Sequence, residues 1–333
     1  MHRNITHKLV DYLLFNVCSI NQPGLYYGKA GIALALFELS RQWRNDYWEE
    51  QAFEILREAL STPTSDTGFE NGLSGIGYTL LYLIDNKFVE ADFKELFAEN
   101  TNNIKRKLRH GHTSEPTVTD ITDRIKTMYF ILALRRHDND CDICNLANSV
   151  ADAIEMRMNK LMSKNSATTD PTPIMDIMET YLSLCHTYPS FKPHDSVIKH
   201  YTELYNSGKV VSDFTIGYYL ERMAQNTGNR ILQAVAENNI TNALNGLHAP
   251  TLSLRQRTDM LHIMYGDKAR FGSAIEKLET RFTDTDDESA AEKNLYAVMR
   301  GNGMSAGYRS GVARVLLCCA HRNSDGASRI PLL

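Results

Sequence analysis

The chain has 333 residues, of which 43% are hydrophobic and 23% charged, with a formal net charge of −4. This is the composition of an ordinary folded globular protein. The negative balance argues against a nucleic-acid binder that works by neutralising phosphates, and six scattered cysteines give no disulfide framework.

The N-terminal stretch MHRNITHKLVDYLLFNV has its apolar residues interrupted by His7, Lys8 and Asp11. It lacks the uninterrupted apolar region and small-residue cleavage site of a signal peptide. No apolar run in the chain approaches the roughly 18 residues of a membrane span. These features predict a cytoplasmic location.

Strand signals are nearly absent and helical signals recur throughout. DYWEEQAFEILREALS (46–61) places Trp48, Phe53, Ile55, Leu56 and Leu60 on one broad face. FKELFAENTNNIKRKLRH, CNLANSVADAIEMRMNKLMSK, DSVIKHYTELYNSG and NRILQAVAENNITNALNG are further amphipathic helices. The last two end at Gly208 and Gly246, which the pattern predicts as C-cap glycines.

Between these lie seven shorter, more apolar segments. In chain order they are GIALALFELSRQW, GIGYTLLYLI, IKTMYFILALRR, IMETYLSLCHTY, IGYYLERMAQ, RTDMLHIMYG and GVARVLLCCAH. A helix that is apolar on nearly all sides expects to be buried on most of them. Alternation of the two kinds predicts an all-α fold of stacked helical hairpins, one helix inside a ring and one outside. SKNSATTDPTPIMD and FTDTDDESAAEK read as loops, and no linker divides the chain. One domain over 1–333, an α/α toroid of about seven repeats, is expected.

The repeat has its own glycine signature. YGKAGIALALF and NGLSGIGYTLL carry Gly28 and Gly31, and Gly72 and Gly75, at a spacing of 44 residues. NGMSAGYRSG restates the pattern near the end, with Gly303 in the place of Gly72 and Ala306 in the place of Gly75. In NGLSGIGYTLLYL, Gly72 predicts an unusual backbone angle or a close approach before the helix, and Gly75 and Gly77 predict close packing of the helix, rather than a phosphate loop, because no Lys-Ser/Thr follows them.

LYYGKAGIALALFELSR and FENGLSGIGYTLLYL resemble the Gly-x-x-Gly repeats of the lanthionine synthetase C-like (LanC-like) family. The resemblance covers residues 24–84, returns at 302–317, and implies a seven-fold α/α toroid. It also implies a zinc ion that activates a peptide cysteine thiolate for addition to a dehydrated serine or threonine. The family's ligands are a cysteine in a Trp-Cys-x-Gly motif of the fifth repeat and a Cys-His pair in the sixth. Neither motif is matched here. SDFTIGYYLERM contains no cysteine, and His248 in NGLHAPTLSLRQRTDML follows no cysteine. The family's zinc ligands therefore carry over to no position, and no metal or other cofactor is expected.

Other groups have ordinary readings beside chemical ones. Cys185-His186 falls near the end of its helix, where packing explains it. His137, Cys141 and Cys144 read as a loop and a helix start. His110 and His112 read as a helix end, and Cys318-Cys319 falls deep in an apolar helix. Glu70, Asp120, Asp123, Asp176 and Asp213 precede or open inner helices. They read as caps, or as mouth carboxylates for general acid/base work on a carbohydrate, as in an α/α-toroid hydrolase. Tyr26, Tyr27, Phe69, Phe214, Tyr218, Tyr219 and Tyr308 gather at the same positions. They line a peptide groove or plug the ring's centre.

The leading expectation is a LanC-like protein of a lanthipeptide-type modification pathway. It would lack zinc and bind a precursor peptide or a peptide-modifying enzyme. A carbohydrate hydrolase and a thioether-forming cyclase with non-standard ligands are the alternatives.

Overall fold

The computed structural model describes residues 3–109, 117–137, 141–164, 170–247, 252–279, 293 and 305–322. Fourteen helices and no strand are found among them. They are α1 (Arg3–Val17), α2 (Lys29–Trp43), α3 (Asp46–Ser61), α4 (Leu73–Asp85), α5 (Phe93–Arg109), α6 (Val118–His137) and α7 (Cys141–Lys164). Next come α8 (Thr172–Thr187), α9 (Asp195–Asn206), α10 (Phe214–Thr227), α11 (Arg230–Asn245), α12 (Leu254–Tyr265), α13 (Lys268–Glu279) and α14 (Val312–Arg322).

The seven apolar segments become α2, α4, α6, α8, α10, α12 and α14. In α4 every residue from Leu73 to Leu83 is buried, and in α2 all but one from Ala30 to Ser40 are. The companion helices bury one stripe each. In α3 that stripe is Trp48, Ala52, Ile55, Leu56 and Ala59, while Phe53 stays partly exposed and packs edge-on against Phe37 at 4.9 Å. In α9 it is Val197, Tyr201 and Leu204. The difference follows from the sequences: an all-round apolar helix must be enclosed, and a striped one covers it.

The described residues form two compact units, one from those up to residue 96 and from 252 onward, the other from those between 97 and 247. In the first, α2 packs on α3, α4 and α14, and α14 packs in turn on α12 and α1. In the second, α8 lies between α6 and α10, with α7 and α11 against α6 and α10 and α9 joining α7 to α11. Buried tyrosines tie neighbouring helices through a glutamate. Tyr82 of α4 donates to Glu38 of α2 at 2.5 Å, Tyr265 of α12 to Glu279 of α13 at 2.7 Å, and Tyr181 of α8 to Glu155 of α7. Removal from water raises the Glu38 carboxyl above the usual range and lifts each phenol as well.

Helix ends mostly follow the sequence signals. Gly208 has φ +70° just past α9, as a terminating glycine should. Gly246 ends α11 with φ −84°, so it closes the helix without the left-handed turn expected of it. Asp176 does not open its helix. Pro171 and the proline at the start of the first turn begin α8 four residues earlier, and Asp176 lies exposed one turn in.

Candidate functional site at the helix lead-in loops

Three loops of the first unit lead into α2, α4 and α14 and share one construction. The first helical N–H in each donates back to the carbonyl seven residues earlier: Lys29 to Gln22, Leu73 to Asp66 and Val312 to Ser305, each at 2.9 Å. The loop thus caps its own helix with backbone, supplying acceptors that a Ser or Asp side chain supplies elsewhere. Such a loop folds tightly over the helix start. A methyl group on Gly28 would sit 2.5 Å from the Gln22 oxygen, and one on Gly72 or Gly311 would strike the Asp66 or Ser305 carbonyl. The φ angles of Gly28 and Gly72 are −124° and −115°. Close approach, not an unusual backbone angle, therefore requires glycine there.

This construction corrects the expected alignment of the last repeat. Gly311, not Gly303, is the counterpart of Gly28 and Gly72, and Gly303 lies outside the described residues. Ala306 corresponds to Pro23, since Ala313 donates to its carbonyl as Ala30 does to that of Pro23. The counterpart of Gly31 and Gly75 is Arg314. Its side chain is 1% exposed, pairs with Asp259 of α12 and donates from Nε to the Thr258 hydroxyl at 3.2 Å. Arg255 lies 3.5 Å from the same carboxylate.

Tyr26, Glu70 and Arg309 occupy the same position in the three loops, and they meet. The Tyr26 N–H donates to the Glu70 carbonyl at 2.7 Å, and the Arg309 N–H to the Tyr26 carbonyl at 3.2 Å. The Arg309 guanidinium pairs with the Glu70 carboxylate at 2.9 Å and lies over the Tyr26 ring at 5.0 Å. Glu70 is therefore an ion-pair partner and not a helix cap.

The aromatic residues assigned to a peptide groove divide sharply. Tyr26, Phe69 and Tyr308 are at most 1% exposed. Tyr26 stacks on Tyr308 at 6.4 Å and meets Phe69 edge-on at 6.3 Å. These three fill the space beneath the loops, so a peptide cannot touch them. Tyr27 remains 43% exposed beside them. In the second unit Tyr218 and Phe214 are buried and stacked at 6.4 Å, and Tyr219 is partly exposed.

The inner helices of the second unit start differently. Asp213 caps α10, its Oδ1 accepting from the Ile216 N–H at 2.9 Å. Asp120 and Thr117 cap one another at the start of α6, with the Thr117 N–H on Asp120 Oδ2 at 2.8 Å. Asp123 lies in the next turn of α6. In the first unit, Ser253 and Gln256 form a capping box on α12. His248, His110 and His112 lie outside the described residues.

Zinc held by cysteine and histidine requires thiolates and imidazoles gathered within about 2.3 Å of one point. No group of three His, Cys, Asp or Glu side chains among the described residues meets that geometry. The segment Val210–Ser212 before α10 contains neither cysteine nor histidine, and neither does Leu252–Ser253 before α12. Cys141 and Cys144 open α7. Cys185 and His186 stand in the last turn of α8, at the end opposite its own N-terminus, and Cys318 and Cys319 lie inside α14. Burial pushes the Cys185 and Cys318 thiols up and Cys319 up to about 11, so each stays protonated at neutral pH. Among the described residues the donors do not fit the metal centre that the resemblance implies.

Residues 3–126 match the family model for lanthionine synthetase C-like protein. A solved structure titled "Nisin cyclase" superposes with a TM-score of 0.59 at 12% identity, covering 96% of this chain and 94% of that one. Comparison with the curated proteins gives no match. At such identity the structural likeness speaks for the fold, and the fold is an α/α toroid, as the alternation of helices predicted. No helix among the described residues is long and apolar enough to cross a membrane. The glycine-capped lead-in loops of α2 and α4 fall inside the matched segment, so over residues 3–126 the chain is similar to the lanthionine synthetase C-like family.

Proposed function

We propose that this protein serves in the modification of ribosomally made peptides by binding the precursor peptide or a modifying enzyme, without zinc-dependent ring closure. The carrying observation is a contrast within one chain. The lead-in loops of α2, α4 and α14 keep their glycine-capped construction down to individual hydrogen bonds. Residues 210–212 before α10 and 252–253 before α12, the described parts of those lead-ins, offer no sulfur or imidazole donor, and His248 lies outside the described residues. A thiolate nucleophile is favoured at neutral pH by a metal or a cationic neighbour, and among the described residues no group of three His, Cys, Asp or Glu side chains is gathered to hold a metal. The exposed Tyr27, beside the half-exposed Glu70–Arg309 pair, supplies an aromatic face and both charges for a peptide backbone and side chains.

Dehydrated nisin precursor is a suitable probe. The purified chain should bind it without consuming cysteine thiols, and Tyr27→Ala should weaken binding severalfold. Mass spectrometry after thiol alkylation reads ring closure directly. Thioether formation, with one equivalent of zinc in the purified protein, would refute the proposal.

A further inference from the structure

The second unit carries an open cleft of about 840 Å³ at the end of α8 and α10 away from their lead-in loops. Its walls are the last turns of α8 and α10 and the first turns of α9 and α11. Leu182, Ile198, Met223 and Leu232 give it an apolar interior, and Ile231 stands at its rim 73% exposed. A volume of this order suits a small molecule, and such sites orient their ligands by a few polar groups on an apolar floor.

The polar groups are not symmetric in charge. Arg222 projects from α10, held by its Nη2 donating to the Tyr218 hydroxyl at 3.0 Å with the guanidinium 5.0 Å from that ring. Asp195, Lys199 and Glu203 succeed one another at intervals of four along α9, and all three are exposed, as is Lys192. The rim acids are thus matched by rim lysines, and Arg222 is the cation of the inner wall. Beside it, the His186 ring lies 5.1 Å from that of Tyr219. Burial first, and the Arg222 charge second, hold His186 below its ordinary range, so the ring is neutral at pH 7. A neutral imidazole and a tyrosine offer flat faces to a ring, and Arg222 offers a fork for a carboxylate.

From this arrangement we propose that the cleft binds a small organic carboxylate with an aromatic or apolar body. The carboxylate pairs with Arg222, and the body lies on Met223 and Leu232 against His186 and Tyr219. The cleft is lined by residues 182–232 alone and stands whether or not the chain handles precursor peptides.

Isothermal titration of the full chain with 2-naphthoate and with its uncharged analogue 2-naphthamide tests this. The acid should bind saturably at one site per chain. Arg222→Gln should weaken the acid by at least about tenfold and leave the amide unchanged. Ile231→Asp, at an exposed position that folding does not need, should weaken the acid by setting a like charge at the rim. Met223→Trp should fill the interior and abolish binding of both. Absence of saturable binding, equal affinity for acid and amide, or an Arg222→Gln protein that binds the acid normally would each overturn the proposal.

Discussion

Arg309 pairs with Glu70 across 239 residues of sequence, at 2.9 Å. The two stand at matching positions of their loops, with Tyr26 between them as the third. Backbone bonds run Arg309 to Tyr26 to Glu70, so the last, first and second repeats are laced in that order. The pair is partly exposed, with side chains 23% and 32% accessible, and an ion pair so placed is worth about 0.5–1 kcal/mol. Arg309→Gln and Glu70→Gln should each lower stability by about 1 kcal/mol. The double variant should cost little more than either single one, and the coupling should fade in molar salt. Urea unfolding of the four proteins measures it.

In the repeats that begin α2 and α4, the second glycine is the stricter one. A methyl group on Gly31 would strike the Leu25 carbonyl and sit 2.6 Å from Tyr308 Cβ, and one on Gly75 would strike the Phe69 carbonyl and sit 2.9 Å from Leu25 Cβ. Both positions are enclosed by backbone that cannot step aside. Gly31→Ala and Gly75→Ala should each cost about 3 kcal/mol or more. Gly272, inside α13, has nothing within 4 Å of an added methyl. Gly272→Ala should instead stabilise by about 0.5–1 kcal/mol, the helix propensity gain. Melting temperatures of the three variants, moving in opposite directions, would check the assignment.

The inner helices were legible in the sequence because each is apolar on all sides, a pattern that survives without knowledge of neighbours. The last repeat was misaligned because the eye follows paired glycines, and there the second of the pair is Arg314. The signal that locates it is the spacing Gly307-x-x-x-Gly311, which matches Gly24-x-x-x-Gly28 and Gly68-x-x-x-Gly72. Asp176 was misplaced for a similar reason: the nearby prolines, not the acid, set the start of α8. For Tyr26 the sequence leaves groove and plug open, since its burial depends on Phe69 and Tyr308 arriving from distant segments. The cleft beside His186 escaped notice because its walls come from four helices, none of which announces it alone.

Arg314 is buried where two other repeats have glycine, and its charge is met by Asp259 at a side-chain exposure of 1% and 10%. Removing one partner of such a pair strands the other charge away from water, which costs about 3–5 kcal/mol. Asp259→Ala should therefore be strongly destabilising. Arg314→Met with Asp259→Leu removes both charges while keeping most of the volume, and it should be far milder than Asp259→Ala alone. A double variant as unstable as the single one would show that the loss is of shape and not of charge. Chemical denaturation of the two proteins separates these.

The His262 ring of α12 and the His321 ring of α14 lie 4.1 Å apart with their planes tilted by 31°. Burial holds both below the ordinary range, with His321 lowered to about 4 and His262 disfavoured further by the charge of its neighbour. Each is neutral in the folded chain over a range of pH where the unfolded chain binds a proton. The stability they confer is complete above about pH 6.5 and drains away as pH falls toward 4. Glu38, whose carboxyl is raised by burial, runs the opposite way over the lower part of that window, so a wild-type profile mixes the two. The variant His321→Leu isolates the histidine part. Urea midpoints at pH 7.5 and pH 5 should separate less in His321→Leu than in the wild type, where the loss through His321 between those pH values amounts to about 2 kcal/mol. An unchanged separation would assign the acid sensitivity to other groups.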